Sequence, residues 1–197
     1  MLAELAAEHA LIGSVFAEAS EGAGVDLWQI SQNADDDRLN QTEYTQPALL
    51  AANIALWRVW QRQGGAQPAV LSGHSLGEYA ALVAAGALSL KDGAHLVRLR
   101  GQFMQAAVPA GTGAMAAVLG AEDAQVEQVC IECSNDASAV VAANYNSPGQ
   151  IVIGGHAEAV ERAIAALQAA GIRKTVKLAV SVPSHTPLMR DAANRLA

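Results

Sequence analysis

The five residues Gly73-His74-Ser75-Leu76-Gly77 restrict the fold of this chain more than any other part of its sequence. The preceding residues, 68–72, predict a short buried strand, and residues 78–88, rich in Ala and Leu, predict a helix. The flanking glycines permit a turn so sharp that a Cβ would collide with the neighbouring backbone. Strand, Gly-x-Ser-x-Gly and helix together predict a nucleophile elbow that presents the Ser75 hydroxyl beside the first N–H groups of the helix. The alternative is a tight turn without a chemical role.

The size and charge of the chain exclude several classes of protein. Its 197 residues are 52% hydrophobic and 16% charged, which is enough to bury a globular core. The formal net charge of -7 argues against a nucleic acid partner. No apolar run reaches the about 18 residues that a membrane-spanning helix needs. Glu4 and Glu8 interrupt any apolar signal segment at the start, so we expect a cytoplasmic protein.

Two amphipathic helices are predicted before the elbow. They cover residues 2–20 and 47–63, with a polar loop over 32–40 between them and Pro47 in the first turn of the second helix. The expected buried side of that second helix consists of Leu49, Leu50, Asn53, Leu56, Trp57 and Trp60. Helices that alternate with the elbow strand predict an α/β fold.

Beyond residue 112 the pattern changes to β-α-β-β-α-β. The predicted strands cover 114–119, 140–144, 150–153 and 175–181, and the predicted helices cover 121–133 and 157–169. This order is typical of a ferredoxin-like small domain. We interpret residues 112–181 as such a domain, inserted into a hydrolase-like parallel-sheet core formed by residues 1–111 and 182–197.

A serine nucleophile needs a base within hydrogen-bond reach, and His185 is the candidate. It follows a predicted strand in a loop bounded by Pro183 and Pro187, where the chain returns from the small domain. The other histidines occupy turn or helix positions less suited to that role: His9, His74, His95 and His156.

Arg100 occupies the apolar side of a third predicted helix, which begins near Ser89 because Asp92 completes a capping pattern. Arg98 falls on the solvent-facing side by the same spacing. A guanidinium on a buried face is costly unless an anion meets it. That anion is an internal carboxylate or the carboxylate of a substrate, unless the side chain reaches solvent instead. The residues alone do not decide between these readings.

The two cysteines, Cys130 and Cys133, have the C-x-x-C spacing of a redox pair or of half a zinc site. No second cysteine pair follows, and both lie on a predicted helix, where residues three apart share a face. We therefore expect no chemical role for them and no metal site.

Five motifs, in order along the chain, resemble those of malonyl-CoA:acyl carrier protein transacylases of bacterial type II fatty acid synthesis. They are TQPALL (45–50), GHSLGEY (73–79), RGQFM (100–104), NYNSPGQ (144–150) and VPSH (182–185). Related acyltransferase domains serve polyketide synthases. The resemblance covers essentially the whole chain, and the five motifs together are far more specific than the elbow alone.

The resemblance implies that a malonyl group moves from coenzyme A to the phosphopantetheine thiol of acyl carrier protein, in fatty acid biosynthesis. Malonyl-CoA is then a substrate, acyl carrier protein a partner, and no cofactor is needed. Ser75 would be the nucleophile and His185 the general base. The implied substrate-binding residues are Arg100 for the malonyl carboxylate, Leu76 for the oxyanion through its N–H, and Gln46 and Asn146 near the cleft.

The chain departs from this family at both ends. The family's N-terminal Phe-Pro-Gly-Gln-Gly-Ser motif and the segment that orients the histidine have no counterpart in the sequence. The resemblance therefore implies truncation at both ends. We expect weak activity or none, because loss of one oxyanion donor costs about 10²–10³ in kcat.

Two alternatives stay open. A serine hydrolase of the lipase or thioesterase type also uses a Gly-His-Ser-Leu-Gly elbow. A non-catalytic remnant that binds acyl carrier protein is the other, and its docking to an acidic carrier would need a basic patch. The candidates for such a patch are Arg173, Lys174, Lys177 and Arg190, although they also fit a solvated surface strip.

Overall fold

The computed structural model describes residues 1–109, 111–180 and 182–197. The chain folds into two compact units, Met1–Gln102 and Phe103–Ala197. Together they contain helices and a four-stranded antiparallel sheet, so the α/β fold class is confirmed at that level. Within the described residues, no helix is both long enough and apolar enough to span a bilayer.

The first unit is helical throughout its described secondary structure. Its α-helices are α1 (Ala3–Glu8), α2 (Leu11–Ala23), α3 (Leu27–Gln32), α4 (Thr42–Arg62), α5 (Leu76–Ala84) and α6 (Leu90–Ala107), and a 3-10 helix covers Asp37–Asn40. Residues of α6 from Phe103 onward belong to the second unit. The core lies between α2 and α4, and Phe16 meets Trp28 there edge to face, with ring centroids 5.0 Å apart. Helix α6 begins beside Ser89, whose hydroxyl accepts from the Asp92 N–H at 3.0 Å, as the capping pattern predicts.

The second unit contains the β-α-β-β-α-β order that the sequence predicts. Its elements are β1 (Gly113–Leu119), α7 (Asp123–Glu132), β2 (Val140–Ser147), β3 (Gln150–His156), α8 (Ala157–Ala169) and β4 (Lys174–Lys177), followed by a 3-10 helix (Pro187–Met189) and α9 (Arg190–Leu196). The strand order is β2-β3-β1-β4, and every pair is antiparallel. Alternate residues of β1, such as Ala116 and Val118, pack with Val160 and Leu167 of α8 in one apolar cluster.

Several element boundaries differ from the sequence predictions. The helix predicted over 2–20 is interrupted because His9 has an extended backbone that ends α1. Strand β2 extends beyond the predicted residue 144 because its backbone pairs with β3 up to the turn at 147–150. Strand β3 extends beyond residue 153 to His156 because its last residues pair with the start of β1. Strand β4 ends at Lys177, and Ser181, the last residue of the predicted strand, lies outside the described residues.

The strand predicted over 68–72 is wrong. These residues have no strand assignment, and the side chain of Val70 is 81% exposed. A strand exists through hydrogen bonds with a neighbouring strand. The described part of the first unit contains no strand that could supply them, and no described pair of strands is parallel.

The buried side predicted for α4 is also wrong for most of its residues. Leu50 is buried, but Leu49 and Leu56 are exposed, and Trp60 is 52% exposed. The residues that do face the core are mostly small: Gln46, Pro47, Ala48, Leu50, Ala51, Ala52, Ile54 and Ala55. Alanines allow helix axes to approach closely. The residues of α4 that become buried are therefore those that pack against α2, and not those with the largest side chains. The helix also begins at Thr42, which places Pro47 inside it and not in its first turn.

Candidate active site

Ser75 has the strained backbone of a nucleophile elbow. Its φ of 55° and ψ of -114° lie in a region that residues with a Cβ rarely adopt, and α5 begins at the next residue. Gly73 makes the turn possible, because a Cβ at this position would lie 2.0 Å from the backbone carbonyl carbon and oxygen of Gly77. A Cβ at Gly77 would meet nothing within 4 Å. The two glycines of the motif therefore have different roles.

Helix α5 begins directly after Ser75, so its first backbone N–H groups lie close to the serine in the chain. The Gly77 N–H donates to the His74 carbonyl at 2.8 Å, and the Glu78 N–H donates to the Ser75 carbonyl at 3.2 Å. The Leu76 N–H precedes both and is not used in these turn bonds. First-turn amides and the positive end of the helix dipole stabilise a developing negative charge.

Arg100, on α6, contacts the serine directly. Its Nη2 donates to Ser75 Oγ at 3.0 Å, and its Nη1 donates to Gln46 Oε1 at 2.6 Å. Among the described residues, no carboxylate oxygen lies within salt-bridge distance of this guanidinium. Burial lowers the pKa of Arg100 from its usual value, and the nearby Tyr79 and Glu78 oppose that shift. Because a guanidinium remains protonated at neutral pH, the site keeps a positive charge without an acidic partner.

Gln46 is held at both ends of its amide. It lies on α4 and is only 5% exposed, its Oε1 accepts from Arg100, and its Nε2 donates to Thr42 Oγ1 at 3.0 Å. A guanidinium can only donate, so the amide oxygen must face Arg100 and the amide nitrogen must face Thr42. Four residues that the sequence singled out, Gln46, Ser75, Leu76 and Arg100, thus lie in one part of the first unit. Thr42 could not be predicted from the sequence, because a hydroxyl that accepts from a neighbouring side chain has no distinctive pattern.

The position predicted for Arg98 is wrong. It was expected on the solvent-facing side of its helix, but its side chain is only 20% exposed. Its Nη1 donates to the Ala23 carbonyl at the C-terminus of α2, and its guanidinium lies 5.4 Å from the ring centroid of Tyr44. It also lies 3.8 Å from a carboxylate oxygen of Glu43. Arg98 therefore links helices and places its positive charge at the C-terminal end of α2, whereas Arg100 contacts Ser75.

His185 belongs to the second unit, on the loop that follows β4. Its φ of 60° is left-handed, and its side chain is exposed. The loop is held by buried Thr186, whose hydroxyl donates to the Pro183 carbonyl at 2.7 Å. A Cβ at Gly154 of β3 would lie 3.1 Å from the Thr186 methyl group, so the loop packs directly on the sheet.

Asn146 also belongs to the second unit, where it is exposed on β2. The roles of His185 and Asn146 beside the serine stay predictions, as do the roles of the four residues in the first unit.

Cys130 lies on α7 and Cys133 directly follows it, and the absence of a chemical role for both stays a prediction. Burial raises the pKa of Cys130 to about 11, and burial also raises the pKa of Cys133. A thiol with a raised pKa forms little of the nucleophilic thiolate at neutral pH. In the described parts of the chain, no three His, Cys, Asp or Glu side chains are grouped as metal ligands.

Comparison with known proteins gives one consistent result. Residues 4–197 match the acyl transferase domain family. The malonyl CoA-acyl carrier protein transacylase of Salmonella typhimurium is 54% identical over all 197 residues, which correspond to 63% of that protein. The solved structure of a malonyl-CoA:acyl carrier protein transacylase from Xanthomonas oryzae is 71% identical with a TM-score of 0.97, and the match covers this whole chain and 62% of the other.

A further solved structure contains a type II PKS acyl-carrier protein in complex with its malonyl-transacylase. It is 50% identical with a TM-score of 0.95, covering all of this chain and 63% of the other. The chain thus spans slightly less than two thirds of the length of these relatives. The chain belongs to the acyl transferase domain family.

Proposed function

We propose that this protein transfers a malonyl group from coenzyme A to the phosphopantetheine thiol of acyl carrier protein through an ester on Ser75. The observation that carries the proposal is the 3.0 Å hydrogen bond from Arg100 Nη2 to Ser75 Oγ. An acyl group on this oxygen would begin within reach of a guanidinium that has no acidic partner among the described residues. A free carboxylate on that acyl group would supply the missing anion.

The proposed reaction has two halves. Ser75 Oγ attacks the thioester carbonyl of malonyl-CoA while its proton passes to the general base, for which we propose His185. The C–S bond then breaks, coenzyme A leaves as a thiol with that proton, and malonyl remains as an ester on Ser75. In the second half the carrier's thiol gives its proton to the base and attacks the ester carbonyl. The C–O bond to Ser75 then breaks, Ser75 Oγ takes up that proton, and the malonyl group remains on the carrier as a thioester.

Negative charge builds on the carbonyl oxygen in both halves. We propose the Leu76 N–H as one donor to this oxyanion, supported by its place at the first turn of α5. Asn146 keeps its proposed place near the substrate, supported only by its match to the family motif.

The division of the chain into a core and a small domain is part of the same proposal. The strand order β2-β3-β1-β4 supports a ferredoxin-like domain over residues 112–181. The strained elbow at Ser75 supports a hydrolase-like core formed by residues 1–111 and 182–197. The partner is proposed because one similar solved transacylase is bound to an acyl-carrier protein. Absence of a cofactor and a cytoplasmic location also stay predictions.

Intact-protein mass spectrometry tests the function. The protein expressed from its complete gene is mixed with malonyl-CoA, and a mass increase of one malonyl group is expected that the Ser75→Ala variant lacks. Holo acyl carrier protein is then added. Loss of the adduct with an equal gain on the carrier supports transfer, whereas loss without that gain identifies a hydrolase. A protein that binds the carrier but never gains the adduct would be a non-catalytic binding module.

A further inference from the structure

The contact between helices α4 and α6 is unusually close at Gly101. A Cβ at this position would lie 2.5 Å from Glu43 Cα, 2.7 Å from Glu43 N and 2.7 Å from the Thr42 carbonyl oxygen. Carbon atoms in ordinary contact are about 3.5–4.0 Å apart. All three neighbours are backbone atoms, which cannot rotate away as a side chain can. The two helices therefore approach this closely only because residue 101 has no side chain.

Arg100, the residue before Gly101, depends on that approach. Its hydrogen bond to Gln46 crosses from α6 to α4 and is 2.6 Å long. If the two helices moved apart, this bond would lengthen and weaken. Gln46 in turn is fixed by the 3.0 Å bond from its Nε2 to Thr42 Oγ1, one turn earlier on α4. Thr42 therefore makes two contacts that matter here. Its carbonyl lies beside Gly101, and its hydroxyl accepts from Gln46.

We infer that Gly101 and Thr42 are positioning residues for Arg100, and that they determine selectivity for acyl groups that carry a carboxylate. The inference rests on the proposed function. Gln46 holds one end of the planar guanidinium, so the other end is directed to Ser75 Oγ and cannot rotate freely. An acyl group on Ser75 then meets a charged donor, Nη2, whose direction is already set, and a preset donor favours recognition of a carboxylate.

The Gly101→Ala variant tests the inference. The new methyl group pushes α6 away from α4 by about 1 Å, and a misplacement of that size costs up to about a hundredfold in rate. We expect kcat/KM for malonyl-CoA to fall by about tenfold to about a hundredfold. Single-turnover acylation of Ser75 by acetyl-CoA, the same thioester without the carboxylate, should change little. The matched control is Gly13→Ala on α2, where a Cβ meets nothing within 4 Å and neither rate should change.

A second variant keeps the inference testable if Gly101→Ala does not fold. Thr42→Val keeps the shape of the side chain but removes the hydroxyl that holds Gln46, so the malonyl-to-acetyl ratio should fall roughly twofold to tenfold. Its control is Thr45→Val on the same helix, whose hydroxyl bonds instead to the carbonyls of Leu39 and Gln41. That control should lower thermal stability without changing the ratio.

The outcomes separate the two proposals. If Gly101→Ala or Thr42→Val lowers both acylation rates equally, or lowers neither, the residues are structural and the inference is overturned. If the unmodified protein forms no malonyl ester and transfers no malonyl group, the proposed function itself fails.

Discussion

Replacement of Arg100 by alanine is the most direct perturbation of the proposed site. The guanidinium donates to Ser75 Oγ at 3.0 Å and to Gln46 Oε1 at 2.6 Å, and both acceptors are uncharged. The bond to Ser75 is therefore available to a carboxylate that binds beside the serine. The Arg100→Ala variant removes that charge and leaves the elbow, with its own backbone bonds, in place.

The size of the effect follows from these contacts. A hydrogen bond to a charged group contributes about 1.5–3 kcal/mol. Gln46 already occupies one end of the guanidinium, so we count about two such bonds to a malonyl carboxylate and subtract the cost of removing its water, which leaves about 3 kcal/mol. Since about 1.4 kcal/mol corresponds to tenfold, kcat/KM for malonyl-CoA should fall somewhat more than about a hundredfold. Acetyl-CoA has no carboxylate, so its rate should stay the same or rise.

The assay measures transfer from each thioester to holo acyl carrier protein, together with the free energy of unfolding. Removal of Arg100 relieves its desolvation but takes one donor away from the buried Gln46 Oε1, so the two effects should largely cancel and the free energy of unfolding should change little. Arg98→Ala is the matched control on the same helix. It loses the hydrogen bond to the Ala23 carbonyl and the contact with Tyr44, so it should lower that free energy by about 1–2 kcal/mol without changing substrate preference.

Two results would refute this reasoning. Equal losses of transfer rate with malonyl-CoA and acetyl-CoA would show that Arg100 supports the structure and does not bind the carboxylate. A similar change of preference in Arg98→Ala would show that any disturbance of α6 alters selectivity.

Three further predictions concern other residues. Gly73→Ala should lower the free energy of unfolding by about 3 kcal/mol or more, whereas Gly77→Ala should raise it by about 0.5–1 kcal/mol. Denaturant titrations measure both values, and equal effects of the two substitutions would contradict the elbow geometry. The hydrogen bond to Glu127 raises the pKa of Tyr145 to about 12 from its usual 10.0, so the stability that this bond contributes is fully present below pH 10.0 and is lost as the pH rises to about 12. Glu127→Gln should return the tyrosinate absorbance titration toward 10.0, and an unchanged titration would exclude this cause. Burial raises the pKa of Cys130 to about 11, so iodoacetamide should label it slowly at neutral pH and faster in alkali, and rapid labelling of the folded protein at neutral pH would count against burial.

Local patterns predicted those elements whose residues interact mainly with near neighbours. Helix α8 covers Ala157–Ala169, the same residues that its periodicity predicts. The turn at Ser75 was predicted because the clash it avoids, between Gly73 and Gly77, lies within five residues of sequence. The capping pattern at Ser89 likewise predicted the start of α6, since a capping hydroxyl bonds only a few residues away.

Predictions failed where a distant part of the chain decides the outcome. The apolar run over 68–72 fits a strand, but strands depend on partners that a local pattern does not contain. On α4 the bulky Trp60 was expected inside, yet Ala51 and Ala55 form the packed side because small residues suit a close neighbouring helix. Spacing also placed Arg98 in solvent, and only the carbonyl of Ala23 at the end of another helix explains why it is not.

The chemical groups of the candidate site are evident from local sequence patterns: a strained serine, a helix N-terminus behind it and an arginine on the interior side of a later helix. The tertiary structure decided what that arginine contacts. Gln46 and Arg100 are 54 positions apart, and their hydrogen bond exists because α4 and α6 touch backbone to backbone at Gly101. Periodicity describes one helix at a time, so it cannot express a distance between two helices. That distance makes a half-buried arginine an oriented donor beside Ser75.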